Sequence, residues 1–461
     1  MAAERFQGPI LLTASREELL EHCIKLYQEN QKLKEDIERL KEQLKIPPKI
    51  RKEQEKKQSR SRPLPPERWG RKPGHPGITR PKPLSIDREV QQTLKACPDC
   101  RGRLSEPQEV TEHIQEDIIP AQVMVSRYLR YRYWCRGCKK IVSAPYAPDE
   151  VPCGYLGPMA LITMAILKYH HGLPGNKIRE VFRDLAGLKV SEGAIAQALQ
   201  RLSYWLKVEV GVVAEALRRS PFVHLDETGW KVNGANHWLW AMVNERLAYY
   251  EIHPSRGSKI ARALPGDNFK GTFISDFYSA YNKLGSRQQK CLVHLLREMR
   301  QLRQRDPTQD FLLPYRKLKR IIQDALRLNE RRQNLGPIVF NRRKELLNER
   351  LISFGCSVQS HKDWKRLSAR ILKHHKSILA FLDVPGLPSN NNAAERSIRG
   401  HVIIRNRSYQ NRTQKGAEAH STLTSLIRSL ELQEKNPLGE LAHAYLRHRQ
   451  GNQEPILFAK A

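Results

Sequence analysis

Three carboxylates and four cysteines carry most of the chemistry that this sequence offers. Asp226 closes the apolar run Phe222-Val223-His224-Leu225-Asp226, and Asp276 closes Gly271-Thr272-Phe273-Ile274-Ser275-Asp276. Both runs read as short strands. Two aspartates at the C-terminal ends of neighbouring strands would point into one crevice, where hard divalent cations seek oxygen ligands. Taken alone, strand-end aspartates are more often turn formers. Glu227 follows Asp226 directly, and successive strand residues face opposite sides, so only one of the two reaches the crevice. Asp226 is assigned to it. Glu395 lies in Asn390-Asn391-Asn392-Ala393-Ala394-Glu395-Arg396-Ser397-Ile398-Arg399, where Pro388 breaks what precedes and the asparagines can cap a helix. Arg399 stands one turn on, beside Glu395. From Arg396 to Ala417 there are six Lys and Arg and no acidic residue, so Glu395 is either an ion-pair partner or a metal ligand beside a phosphate track. The basic residues of that stretch, Arg396, Arg399, Arg405, Arg407, Arg412 and Lys415, are candidate DNA contacts.

The cysteines form two knuckles, Cys97-Pro98-Asp99-Cys100 and Cys135-Arg136-Gly137-Cys138. Four thiolates in two C-x-x-C pairs satisfy the tetrahedral demand of one structural Zn²⁺, with no open position for catalysis. Leu129, Tyr131 and Tyr133 alternate with Arg130 and Arg132, which predicts a strand delivering the second knuckle, as in a zinc ribbon.

Other elements must position these groups. Leu19, Leu26, Leu33 and Leu40 recur every seven residues, as do Cys23, Asn30, Ile37 and Leu44. These are the d and a positions of a coiled coil over 15–45, and Asn30 at an a position favours an in-register parallel dimer. Glu29 can meet Lys34 of a partner, and Asp36 can meet Lys41. A basic, proline-rich linker follows over 46–85; its Gly70-Arg71-Lys72-Pro73-Gly74-His75-Pro76-Gly77 is either a DNA minor-groove segment, through Arg71 and Lys72, or a solvated spacer. Residues 154–220 read as helices. Gly187 supplies a turn and Ser191 a cap, the outline of a helix-turn-helix and also of ordinary helical packing. Strands are expected over 236–243 and 247–252, a helix over 259–264, and a helical stretch over 296–382 whose part from Arg297 to Arg350 has 15 basic against 7 acidic residues.

With 80 Lys and Arg against 48 Asp and Glu among 461 residues, the formal net charge is +32, which favours a polyanionic partner. No run approaches the ~18 apolar residues that span a bilayer, and Met1–Gly8 has no basic segment followed by an apolar one, so neither a membrane protein nor a secreted one is expected.

The order His224-Leu225-Asp226-Glu227-Thr228-Gly229-Trp230, then Ser275-Asp276-Phe277-Tyr278-Ser279-Ala280-Tyr281, then Cys291-Leu292-Val293-His294, then the Asn390–Arg399 segment resembles the insertion sequence 66 family of bacterial transposases. The zipper-like start, the GRKPGHPG segment and the four cysteines extend that resemblance over nearly the whole chain. It implies an RNase H-like α/β catalytic domain over 221–430, with a helical insertion at about 296–385 and the triad Asp226, Asp276 and Glu395. Two Mg²⁺ (or Mn²⁺) ions per active site are implied for in-line phosphoryl transfer, without a covalent enzyme intermediate on Tyr278, Tyr281 or Tyr409. Cys291 and His294 match a C-x-x-H found in related transposases; they are either auxiliary metal ligands or, as the residues favour, a buried cysteine and a core histidine. The segment His401–Tyr409 departs from the family pattern, being more basic and less glycine-rich. The expected architecture is thus multidomain α+β: the coiled coil, the linker, a zinc-ribbon-like module over 86–150, a helical DNA-binding region over 154–220, the catalytic domain, and a helical tail over 431–461. The expected partners are double-stranded DNA (element ends and target), a second copy of the chain or a higher oligomer, and companion proteins encoded by the same element. The expected location is the bacterial cytoplasm, at the nucleoid. Two alternatives share parts of this pattern: a non-catalytic DNA-binding regulator descended from a transposase, against which the three carboxylates argue, and an RNase H-like nuclease acting on RNA or hybrids, which needs neither zipper nor basic linker.

Overall fold

The computed structural model describes residues 85–458 except 106–111, 116–120, 153, 286, 306–307 and 358–360, together with Glu29, Leu33, Glu35 and Asp36. Those four isolated residues are helical and exposed; the rest of the expected coiled coil, and the linker with Arg71 and Lys72, lie outside the described residues. The chain divides into two units, Met1–His113 and Ile114–Ala461. In the first, residues 85–105 are almost wholly exposed and hold the first cysteine knuckle.

The second unit opens with an antiparallel hairpin, β1 (Arg132–Cys135) and β2 (Lys140–Ser143). Four helices follow: α1 (Pro158–Tyr169), α2 (Gly175–Ala186), α3 (Glu192–Trp205) and α4 (Lys207–Arg218). Gly187 ends α2 at φ +67°, a left-handed conformation that glycine adopts without steric penalty. Ser191 caps α3, its Oγ accepting from the Ala194 N–H at 3.1 Å.

A five-stranded sheet then forms in the order β5-β4-β3-β6-β7, from β3 (Phe222–Val232), β4 (Ala235–Val243), β5 (Ala248–His253), β6 (Thr272–Ser275) and β7 (Gln288–Lys290). β3, β4 and β5 are an antiparallel meander, while β6 runs parallel to β3 and β7 parallel to β6. A short helix, α5 (Ser258–Ala263), links β5 to β6. β3 corrects one expectation. It does not stop at Asp226 but continues to Val232, because Asn233 and Gly234, at φ +47° and +77°, make the tight turn that pairs it with β4 throughout. Only its parallel pairing with β6 ends early, at His224↔Ile274.

From Leu292 the chain leaves the sheet for α6 (Leu292–Arg305), α7 (Gln309–Glu330), α8 (Pro337–Cys356) and α9 (Lys362–Ile378), and returns as α10 (Asn392–Ser408), α11 (Gln414–Leu432) and α12 (Pro437–Arg449). Buried Gln289 of β7 fastens this excursion, donating to Ile378 O and accepting from the Phe381 N–H.

Alternation along the strands divides the apolar residues between the faces of the sheet. Val223, Leu225, Trp240 and Met242 join α1–α4, α11 and α12 in one core. Trp230, Leu239, Tyr250 and Ile252 meet Ala394, Ile398 and Ile404 of α10 in another. A third core lies among α6–α9, with Ile274 of β6 at its edge. The helices of 154–220 and the C-terminal helices therefore share one core with the sheet. Among the described residues no helix is long and apolar enough to cross a membrane.

Gly271 sets the start of β6. A Cβ there would lie 2.6 Å from Ser220 O and 2.8 Å from Pro221 O, backbone atoms that cannot swing aside. Gly271→Ala is expected to destabilise the chain by about 1–3 kcal/mol through overpacking, read as a lower urea midpoint; an unchanged midpoint would contradict this packing.

Candidate active site

Asp226 lies on β3 and Asp276 directly follows the neighbouring parallel strand β6, each two residues beyond the last paired couple, His224 and Ile274. Neighbouring strands are ~4.8 Å apart, so the pairing alone brings the two carboxylates to one rim. Asp226 Oδ1 accepts from the Glu227 N–H at 2.9 Å, and Asp276 Oδ1 accepts from the Tyr278 N–H at 2.8 Å.

Glu395 arrives from α10, and Asn391 is the bolt that aims it. Asn391 is fully buried. Its Nδ2 donates to Leu225 O at 2.9 Å, its Oδ1 lies 3.1 Å from His224 Nδ1, and its backbone N–H donates to Cys291 Sγ at 3.2 Å. Side chain and backbone of this one residue thus join β3, the start of α6 and the start of α10. Asn391 O accepts from the Glu395 N–H at 3.2 Å, placing Glu395 in the first turn above the strand ends. The asparagine run predicts a side-chain cap, but Asn391 at the cap position makes none; Asn390, one residue earlier, accepts from the Asn392 N–H at 3.1 Å. Asn391 is committed to tertiary structure instead, and a run of three identical residues holds no signal separating those roles.

These carboxylates feel one another. Burial pushes the Asp226 carboxyl up to about 7, and the charges of Glu227, Asp276 and Glu395 add to the rise. Glu395 Oε1 lies 3.5 Å from His294 Nδ1, and among the described residues neither atom has a hydrogen-bond partner. Arg297 approaches the other Glu395 oxygen at 3.8 Å. Cys291, His294 and Glu395 offer ligand atoms within 4.8 Å of one another. Cys291 is buried, as expected, but His294 is not a core histidine: its side chain is a third exposed and faces Glu395.

Glu227 lies on the other side of β3, yet it is no idle surface residue. Its carboxylate is almost fully buried, accepts from the Tyr281 hydroxyl, and pairs with Arg256 at 2.7 Å. Arg256 also stacks on Tyr278, whose backbone N–H holds Asp276. Burial raises the Glu227 carboxyl, while Tyr281 and Arg256 lower it. Beneath Asp276, buried Lys290 donates to Asp276 O at 3.0 Å and Ser275 Oγ at 3.2 Å, and burial pulls its ammonium down to about 8. Arg256 and Lys290 lie outside every motif in the sequence, whereas Tyr278, Tyr281 and Asn391 lie inside motifs, Asn391 with a different role from the capping expected of it.

Of the basic residues singled out on α10 and after it, Arg396, Arg399, Arg407, Arg412 and Lys415 are exposed. Arg405 is spent internally on Thr228 Oγ1 and Gly229 O, and Arg407 donates to His171 O at 3.0 Å. Each cysteine knuckle has its own tight turn. Cys97 O accepts from the Arg101 N–H at 2.9 Å, and Cys135 Sγ accepts from the Cys138 N–H at 3.4 Å. Backbone N–H groups of the second half of each knuckle lower the Cys97 and Cys135 thiols, favouring the thiolate that zinc requires.

The donor set suits hard divalent cations: carboxylate oxygens from three elements, one of them an orphaned oxygen of Glu395, with mutual repulsion that a cation would relieve. The raised Asp226 carboxyl has a consequence for stability. Its folded pKa lies above the unfolded value of about 3.9, so the folded state keeps an extra proton between them. Its contribution to the stability of the metal-free chain therefore falls as pH rises from about 4 to about 7 and levels off above. Asp226→Asn is expected to raise the melting temperature of the metal-free chain at pH 8 by a few degrees. Mg²⁺ should stabilise the wild type more than the variant. Equal melting temperatures without metal would contradict the crowding.

Residues 154–419 match the family described as Transposase IS66 family, and residues 95–139 match the zinc-finger binding domain of transposase IS66. Among curated proteins the chain is similar to three from Sinorhizobium fredii (strain NBRC 101917 / NGR234). The protein y4jD is 25% identical over 383 residues, covering 77% of this chain and 74% of the relative. The protein y4qI is 24% identical over 371 residues, covering 73% and 67%, and y4hP is 23% identical over 418 residues, covering 80% and 74%. The larger family match takes in the strands that carry Asp226 and Asp276 and the helix that carries Glu395, and on that match the chain belongs to the IS66 family of transposases.

Proposed function

We propose that this transposase binds the ends of a mobile DNA element and catalyses metal-dependent cleavage and strand transfer, with Asp226, Asp276 and Glu395 as its triad in an RNase H-like domain. The observation that carries the reading is the gathering of three carboxylates, far apart in the chain, over the ends of two neighbouring strands, with Asp226 raised by burial and by the charges beside it. A meander extended by two parallel strands, with a carboxylate-bearing helix over it, supports the RNase H-like assignment.

Asp226, Asp276 and Glu395 would hold two Mg²⁺ or Mn²⁺ ions. When bound, these would activate the attacking oxygen and stabilise the leaving one during in-line displacement at phosphorus. The chain's own groups do the rest. Asn391 and Lys290 fix the carboxylates before substrate arrives, so little reorganisation accompanies reaction. Arg297, beside Glu395, and the exposed Arg396 and Arg399 on the same helix offer cations to the phosphates flanking the scissile bond. Tyr281 is buried against Glu227, which agrees with a reaction that needs no tyrosine nucleophile. Cys97, Cys100, Cys135 and Cys138 would fold the zinc module, and the N-terminal heptads would pair two copies of the chain.

Binding and chemistry should separate. DNA affinity is expected to fall steeply with salt, because cations supply it. Asp226→Asn, Asp276→Asn and Glu395→Gln should each abolish cleavage and strand transfer of element-end DNA while leaving binding intact. Cleavage surviving in any one of them removes that residue from the triad.

Zinc gives an independent check. Elemental analysis of the purified chain should return one zinc per chain, lost in Cys97→Ser/Cys135→Ser. Zinc kept by that double variant, or absent from the wild type, would refute the four-thiolate site.

A further inference from the structure

The β3–β4 hairpin tip and the residues that end α10 border an open cavity of about 910 Å³ to which the triad assigns no role. Its walls are tied together. Trp230 Nε1 donates to Asn411 Oδ1 at 2.7 Å, the Gly234 N–H to Gln410 Oε1 at 2.7 Å, and the Asn233 N–H to Asn411 O at 2.9 Å. Arg405 adds its bonds to Thr228 and Gly229. The cavity is therefore built into the fold, rather than being a gap between mobile loops.

Its lining has a defined chemistry. Trp238 and Tyr409 supply aromatic surface, and Tyr409 is 77% exposed. Asn236, Asn406 and Gln410 supply amides, Lys231 supplies a cation, Arg405 lines the wall with its guanidinium already bonded to Thr228 and Gly229, and none of the lining residues is acidic. Tyr409 sits at φ +61°, a conformation that strains a non-glycine residue, and its backbone N–H donates to Arg405 O at 2.8 Å. Gly229 leaves the floor open: a Cβ there would lie 3.9 Å from Arg405 Nη1, in the space between strand and helix. Aromatic faces stack on bases, and amides read base edges, whereas a groove for duplex backbone needs cations alone.

Position narrows the occupant. Gly229 is three residues beyond Asp226 on β3, about 10 Å at ~3.3 Å per residue, or about three nucleotide steps at 3.4 Å per strand. We infer that this cavity binds one unpaired DNA base within about three nucleotides of the phosphate held at Asp226, holding the strand open beside the point of cleavage. The inference rests on the DNA-cutting reading above and adds to it a site for single-stranded DNA.

The test compares a forked duplex, with 2-aminopurine in its short unpaired arm, with a blunt duplex of the same sequence. The full chain should bind the fork more tightly and quench the 2-aminopurine. Tyr409→Ala and Trp238→Ala should each lose roughly five- to fiftyfold in fork affinity and less than about twofold in duplex affinity. Tyr409→Phe should bind the fork as the wild type does. Gly229→Val, which fills the cavity and removes no contact, should weaken fork binding alone. Equal affinity of the variants for the fork, or equal losses on fork and duplex, would overturn the inference while leaving triad-dependent cleavage standing. A wild-type chain that binds neither DNA would overturn both readings.

Discussion

Carboxylates held close together in a half-buried crevice repel one another, and the rest of this structure is arranged around that repulsion. Asp226 registers it directly, its carboxyl raised by burial and by three negative neighbours. Such a cluster cannot assemble itself; it has to be forced together by packing made elsewhere. The parallel pairing of β3 with β6 brings up two aspartates, and Asn391 bonds α10 to β3 so that Glu395 follows. Lys290 beneath Asp276 and Arg256 beside Glu227 bring positive charge to the back of the site without entering the crevice. Held in this way, the carboxylates gain from a divalent cation what they lose to one another without it.

Much of this was legible in the sequence because it depends on local rules. Gly187 ends a helix, and Ser191 begins the next. The apolar alternation of β3 and β4 shows which residues face the same way, and so which carboxylate of Asp226-Glu227 turns toward α10. The true length of β3 was missed because Asp226 was read as a terminator, when only one of its two strand partners stops there. Asn391, Lys290 and Arg256 were missed for a different reason. Each acts through atoms 14 to 166 residues away, and no local pattern encodes a contact over such separations. His294 was judged by its neighbour Cys291, but one turn of helix carries it from the core to the rim facing Glu395. The heptads of 15–45 lie beyond what the structure describes, apart from four helical positions.

The basic surface divides in the same way. A count of lysines and arginines cannot tell structural cations from free ones. Arg405 and the exposed Arg407 are bonded to β3 and to the loop after α1, whereas Arg396 and Arg399 are exposed on the turn that carries Glu395 and the next. On one helix, then, the end near the carboxylates faces solvent with its cations, and the other end is fastened to the hairpin that borders the aromatic cavity.

The central claim is that these three carboxylates form one divalent-cation site. Manganese is its most direct probe, because bound Mn²⁺ loses its solution electron paramagnetic resonance signal. Titration of the full, zinc-loaded chain should show two Mn²⁺ bound per chain, with stoichiometry or affinity reduced in each of Asp226→Asn, Asp276→Asn and Glu395→Gln. Mn²⁺ binding that is unchanged when any one of the three is neutralised would contradict the account.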